Sequence, residues 1–313
     1  MGIKSLMKVK IKNAKSDYNE QTIADMGRSI ELKELSDDRV CIDTSYIIYS
    51  SILAMQYVAA LTDEDGRTTS HILTILNKVL NMKKEKLSQV WVFDSPKVNP
   101  LKRNELNTRA QKRDASTNEK VQFKMTGEHV KDIQDLLKYL GILYIVAPDG
   151  IEAEQYGALL TIGESSQRYC KYMISGDTDV LMFGGNLLKP LPRGGGFVAF
   201  ELNDILDEME ITREQFVTMG IALGSDFALK TPGFGPATIH TKARYNKIKL
   251  TDEQKKAYNY FMLDVEMTEA HMVENNYDRE GLLDFLVARG FNRERYEKRI
   301  DAAFKPKKSK IKK

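Results

Sequence analysis

The sequence is poor in the residues that build disulfide scaffolds and zinc centres. Among 313 residues there are two cysteines, Cys41 and Cys170, and four scattered histidines. Each cysteine falls at or beside an apolar run of strand length, so reduced core thiols in an intracellular protein are expected rather than a disulfide. No zinc site of the Cys/His type can be assembled from so few ligands. No apolar run is long enough to cross a bilayer, and no membrane partner is expected. The opening MGIKSLMKVK lacks the long apolar core of a secretory leader. Leu6 occupies the position where a myristoylation signal needs Ser or Thr. The chain has no internal repeat.

What is present is ordinary for a soluble globular protein: 42% hydrophobic and 29% charged residues, enough length for a sizeable core. One large domain, or a domain with a smaller appendage, is expected. The net charge of +3 conceals an asymmetry. The last eleven residues, AFKPKKSKIKK, carry six lysines and no acid, so the body without them is at −3. Such a tail is either a nuclear-localisation or nucleic-acid-binding patch, or a solvated end.

The stretch Lys171 to Gly185, KYMISGDTDVLMFGG, organises the rest. An apolar run, Tyr172-Met173-Ile174, breaks at Ser175-Gly176 and presents Asp177 and Asp179. A run of this length bounded by Gly and Ser reads as a buried strand. Carboxylates just past the C-terminal end of a strand sit where open parallel sheets place ligands. With extended backbone, residues 177 and 179 point the same way. Two like charges held together cost energy unless something positive lies between them, which a divalent cation supplies. A polar turn after a strand accounts for this one motif equally well.

The device recurs. Val40 to Ile42 runs into Asp43, and Val90 to Phe93 into Asp94. Leu143 to Ala147 leads through a short loop to Glu152 and Glu154. Asp226, in Leu223-Gly224-Ser225-Asp226, joins as a seventh acid. Four strands delivering acids suggest one edge of one sheet. Such a constellation implies hard cations with oxygen ligands, Mg²⁺ or Mn²⁺. Two ions about 4 Å apart suit in-line displacement at phosphorus.

Between the strands run amphipathic segments: Thr44 to Ala60, His71 to Met82, His129 to Tyr139 and Glu152 to Ile162. Strands alternating with helices mean an α/β fold, a mainly parallel twisted sheet with helices on both faces. Leu101 to Met125 is polar and basic. A short strand is expected at Phe197 to Phe200, and helices at Leu202 to Glu210 and Arg213 to Leu223. Pro232-Gly233-Phe234-Gly235-Pro236 interrupts the helical pattern that follows. Helix, Gly-rich hairpin, helix is either a backbone-amide grip for a phosphate strand, often aided by a monovalent ion, or an ordinary interhelical turn. The segments imply a core over 1–212 with a basic arch at 101–126. A helical region follows over 213–302, with the helix-hairpin-helix at 216–245, and the basic tail covers 303–313.

Together these residues resemble the XPG/flap-endonuclease family of structure-specific 5′ nucleases. The likeness runs over about residues 1 to 245 and more weakly to about 304. CIDTSYIIYSSI, VFDSPKVNPLKRNELNTR, GIEAE, SGDTDVLMFG and GSDF with PGFGP carry it. The resemblance implies a PIN-like nuclease core with a helix-hairpin-helix (H2TH) region. It makes Asp43, Asp94, Glu152, Glu154, Asp177, Asp179 and Asp226 ligands of two Mg²⁺ ions, with Mn²⁺ able to substitute. It gives Lys102 and Arg109, seven residues apart and so on one helix face, to the scissile phosphodiester. Tyr49 stacks on the frayed base. Gly2, as a processed N-terminus, lies by the DNA, Arg103 and its basic neighbours hold the single strand, and Gly233 and Gly235 grip the duplex with K⁺ at the hairpin.

The implied activity is hydrolysis of DNA at 5′ flaps or single/double-strand junctions in replication, repair or recombination. The alternatives are a 5′-3′ exonuclease or junction resolvase of the same family, or a non-catalytic DNA-structure-binding protein. A ribonuclease of the broader PIN-like superfamily fits less well, because the hairpin argues against it. Partners are DNA with a flap, nick or junction, bound by a monomer in the nucleus or, for a viral source, where viral DNA replicates. Four departures stand out: a short stretch from Asp94 to Thr126, an apparent insertion at Asp149-Gly150, a longer segment before Asp43, and no sliding-clamp box near the C-terminus.

Overall fold

A computed structural model describes residues 3, 5–11, 21–54, 62–118, 123–164, 166, 168–191, 196–268 and 272–304. Its centre is an eight-stranded sheet in the order β1-β7-β6-β5-β2-β3-β4-β8. These are β1 (Arg28–Ile30), β2 (Arg39–Asp43), β3 (Ser88–Phe93), β4 (Leu143–Val146), β5 (Tyr172–Ile174), β6 (Leu187–Pro190), β7 (Phe197–Phe200) and β8 (Met272–Val273). The pairs β2–β3, β3–β4, β2–β5 and β5–β6 are parallel. The pairs β1–β7, β6–β7 and β4–β8 are antiparallel. A mainly parallel sheet is thus borne out, with antiparallel strands toward its rims. The edge strands β1 and β8 lie in stretches where the sequence carries no strand pattern, because each is only two or three residues long.

Alternation along the strands divides the core. Cys41, Val90, Val92, Ile145 and Met173 face one side. Val40, Ile42, Trp91, Phe93, Tyr172 and Ile174 face the other. Against the second face pack α1 (Thr44–Ala54), α2 (Ser70–Lys84) and α4 (Gly127–Tyr139). Against the first pack α5 (Ala153–Leu159), the single turn α6 (Asp179–Met182), α7 (Leu202–Met209) and α8 (Arg213–Leu223). The helix α3 (Arg103–Asp114) buries none of its residues, which follows from a polar sequence with no apolar stripe. Cys41 and Cys170 are buried free thiols, as expected.

The C-terminal third does not stand apart. α9 (Ile239–Arg244) and α10 (Asp252–Phe261) share the first face. β8 then pairs with β4, and α11 (Arg279–Val287) and α12 (Arg293–Phe304) cover the second face against α2 and α4. Arg289 clamps Asp132 of α4 at 2.6 Å, and Asp132 also meets the buried His71 of α2 at 3.2 Å.

Several boundaries differ from the sequence reading. α5 spans only Ala153–Leu159, with Glu152 preceding it in extended conformation. α1 is seen to Ala54, and residues 55–60 of the expected helix lie outside the described set. Gly2, part of the arch at 119–122 and the tail from 305 also lie outside it. The backbone after β5 does not stay extended: Thr178 is helical and Asp179 opens α6. The cause is local. The Asp177 carboxylate accepts the Asp179 amide at 3.0 Å, which folds the chain into a turn.

Gly185 closes the organising stretch for a steric reason. A Cβ there would lie 2.5 Å from the Ala158 Cα and 2.6 Å from its Cβ, so α5 can approach only a bare backbone. Gly185→Ala is expected to cost about 1–3 kcal/mol in urea unfolding through overpacking. Gly127→Ala, where the added Cβ meets nothing within 4 Å, should leave the midpoint unchanged or slightly raised.

Candidate active site

The parallel strands end on one edge. β2 turns directly into α1, β3 runs out into Asp94, β4 leads to the loop before α5, and β5 leads to Asp177 and α6. The chain builds β3 and β4 on one flank of β2, then returns to place β5 on the other. This reversal opens the crevice where doubly wound sheets bind ligands. The sequence predicts that the acids gather here, and the fold delivers Asp43, Asp94, Glu152, Glu154, Asp177 and Asp179 to this edge.

Most of the acids are held by hydrogen bonds. Asp43 accepts the Tyr46 amide at 2.8 Å and the Ser175 hydroxyl at 2.9 Å. Ser175 in turn accepts the Asp177 amide at 3.1 Å, so one serine ties β2 to the turn after β5. Asp94 accepts the Ser45 hydroxyl at 2.6 Å and the Ala153 amide at 3.1 Å, which joins β3 to the start of α5. Asp179 accepts the backbone amide of Ile3 at 3.2 Å, bringing the N-terminal segment into the site. The acids therefore sit at the amino ends of α1, α5 and α6, where helix dipoles favour negative charge.

Those dipoles do not settle the electrostatics. Asp43, Asp177 and Asp179 are only 2%, 4% and 4% exposed. Burial, then the neighbouring Asp94, pushes Asp43 up to about 7. Burial and Asp177 hold Asp179 well above the carboxylate range, and burial and Asp43 do the same to Glu154. Burial also raises Asp177 and Glu152, the latter against the pull of Lys102. The surroundings do not fully stabilise the ionised form of every acid in the cluster.

Two cations enter from the 3-10 turn and the α3 helix that follow β3. Lys102 ends a 3-10 turn at Pro100–Lys102 and reaches the Glu152 carboxylate at 2.7 Å. Its ammonium also lies 5.2 Å from the centre of the Phe227 ring. Burial opposes its charge, but Glu152 and Glu154 more than offset this, and its pKa lies above the ordinary value. Arg109, on α3, bonds Asp226 and, at 2.9 Å, Glu105. The seven-residue spacing does bring both cations to the acids, although Lys102 precedes the α-helix rather than lying within it.

Among the described residues no three acids close on a common point. Lys102 and Arg109 draw Glu152 and Asp226 to themselves. The chemistry of the site still suits a hydrated hard cation. Its donors are carboxylate oxygens, and Thr44 and Thr178, which adjoin Asp43 and Asp179, have buried hydroxyls with no hydrogen-bond partner among the described residues.

The remaining candidates are placed as follows. Tyr49 is half-buried on α1, its ring edge-on to Phe123 at 5.8 Å and its hydroxyl accepting the Met125 amide at 3.3 Å. Its ring thus meets the segment that leads into α4. Arg103 is exposed on α3. Gly233 (φ 79°) and Gly235 lie in the hairpin between α8 and α9, with open space where a Cβ would stand. The hairpin is fixed to the N-terminal segment by the Lys10 amide, which donates to the Pro236 carbonyl at 3.0 Å.

Comparison with known proteins decides the family. The XPG N-terminal domain profile matches residues 1–116, and the XPG I-region profile matches residues 141–226. The flap endonuclease 1 of Aedes aegypti is 30% identical over 88% of this chain and 82% of its own length. The chain belongs to the flap-endonuclease family. The flap endonuclease 1 of Theileria annulata is 31% identical over 99% of this chain, which spans 65% of that relative's length. The fold agrees with the catalytic core of Rad2, solved in complex with a DNA substrate. That comparison has a TM-score of 0.69 and 21% identity, and it covers 90% of this chain and 97% of that one. The acids of this flap-endonuclease family chain fall within the two matched regions, Asp226 at the very end of the second.

Sequence reasoning missed the residues that hold the acids. Ser45 and Ser175 were legible only as a helix start and a strand end. Asn99 and Tyr260, which meet beside the acid pair, carried no signal at all.

Lys102 and Glu152 are each 13% exposed in their side chains, so removing one leaves the other buried without its partner. Lys102→Ala is expected to lower stability by about 3 kcal/mol in urea unfolding with EDTA present. The exposed neighbour change Arg103→Ala should move it by no more than about 0.5 kcal/mol.

Proposed function

We propose that the chain is a structure-specific 5′ nuclease that hydrolyses DNA phosphodiester bonds at 5′ flaps or single/double-strand junctions. The observation that carries this reading is the buried edge of acids with Lys102 and Arg109 already among them. Asp43, Asp94, Glu154, Asp177 and Asp179 would hold two Mg²⁺ or Mn²⁺ ions directly, and Glu152 and Asp226 partly through water. Bound there, the ions supply a nucleophilic water at neutral pH and neutralise the leaving 3′ oxygen.

The chain's own residues do the rest. Lys102 and Arg109 offset the charge that grows on the scissile phosphate. Tyr49 stacks on the frayed base once the phosphodiester has left the duplex. The backbone amides around Gly233 and Gly235 grip the duplex backbone with K⁺, and Gly2 lies near the DNA. Arg103 and the other basic residues of 101–126 hold the single strand. The working division is a nuclease core at 1–212, a helical DNA-binding region at 213–302 and a basic tail at 303–313. The protein acts as a monomer in the nucleus or at a site of viral DNA replication.

The test is cleavage of 5′-labelled flap, nicked, bubble and four-way-junction DNA with Mg²⁺. Cutting at the base of the flap is expected, slowed about 100-fold by Lys102→Ala. Asp179→Asn should abolish cutting while DNA affinity persists. Preference for the nick or the junction would shift the assignment to the exonuclease or resolvase alternative. Absence of Mg²⁺-dependent cutting on every substrate would leave a DNA-structure-binding protein.

A further inference from the structure

Beside the acid pair, three parts of the chain meet at one carbonyl. Gly150 lies in the loop between β4 and Glu152. Its carbonyl accepts the Asn99 amide Nδ2 at 3.2 Å and the Tyr260 hydroxyl at 3.3 Å. A carbonyl has two lone pairs, and both are used here. Asn99 belongs to the root of the arch, and Tyr260, 7% exposed, to α10. On its other side the Gly150 amide donates to the Ser95 hydroxyl at 3.2 Å and the Lys97 carbonyl at 3.3 Å. Lys97 also pairs with Asp149. The loop at 95–99 is thus strapped to the Asp149-Gly150 step, where φ is +80°.

Asn99 does two things at once. Its Oδ1 accepts the Leu101 amide at 2.9 Å and so caps the turn that carries Lys102. Its Nδ2 holds the loop that carries Glu152. One side chain therefore touches both the turn that carries Lys102 and the loop that carries Glu152. Tyr260 adds a second support. Its ring lies 5.0 Å from Phe227, the ring over which the Lys102 ammonium sits.

We infer that the Gly150 carbonyl is the joint that sets the arch root and α10 against the acid pair, and that Asn99 is a positioning residue for Lys102 in DNA cleavage. Capping and tethering use different atoms of Asn99, which makes them separable. Asp and Ser both accept the Leu101 amide as caps, but Asp has no N–H to give the Gly150 carbonyl and Ser is too short to reach it. Tyr260→Phe removes the other donor and leaves the ring.

The inference rests on the nuclease reading, so its test has one arm that needs no activity. Hydrogen exchange on the metal-free protein should show faster exchange at 149–153 in Asn99→Asp and Asn99→Ser, with Leu101 still protected. Unchanged exchange at 149–153 in both would overturn the joint. In the second arm, single-turnover flap cleavage at saturating enzyme should be about tenfold slower in both variants, with DNA affinity unchanged. The double change with Tyr260→Phe should slow cleavage further, because it removes the remaining side-chain donor to the Gly150 carbonyl. Wild-type rates in the two Asn99 variants, with only Asn99→Ala slowed, would reduce Asn99 to a cap and sink the proposal. A wild-type protein that cuts nothing sinks the nuclease reading, while the exchange arm still decides the joint.

Discussion

Burial of neighbouring carboxylates, with their mutual repulsion second, is the constraint around which this site is arranged. Asp43, Asp177, Asp179 and Glu154 sit where water cannot screen them, and all four hold their protons more tightly than free carboxylic acids do. Such a cluster is costly to fold around. It persists because three helix starts and a pair of serines meet it on one side, and Lys102 and Arg109 on the other. The offset is partial, because all four stay above the ordinary carboxylate range.

The same constraint explains the traffic across the edge. The chain could have satisfied each acid locally, but most of their partners are distant in sequence. Ser175 reaches Asp43, the Ala153 amide reaches Asp94, and Ile3 reaches Asp179. The site is therefore a crossing point of separate strands rather than a feature of any one. A shift of β5 relative to β2 by one residue would turn Ile174 out of one core face and break the Ser175 bridge together.

What could be read in advance follows from period and chemistry. The central strands announce themselves as apolar runs ending in acids, and α2 and α4 as apolar residues at helical spacing. So does the parallel arrangement, since helices separate those runs. The edge strands β1 and β8 are too short to hold a pattern, and the four-residue β6 is not read in the sequence either. At Asp177 the sequence leaves extended backbone and a polar turn open, and the bond from the Asp179 amide to the Asp177 side chain decides for the turn. Asn99 and Tyr260 escaped for another reason. Neither belongs to a motif, and their meeting at Gly150 exists only once α10 has packed on the first core face.

The pairing of Tyr144 with Val273 bears on how the chain matures during synthesis. β4 belongs to the first half of the sequence, yet its outer edge gains its partner only when the last part of the chain arrives. Until then its free amides and carbonyls are a template for another strand. On the ribosome, a nascent chain that already contains every acid still lacks β8 and the two helices that cover α2 and α4. Without β8, the outer edge of β4 would be an open strand edge, the kind on which strands of separate chains pair.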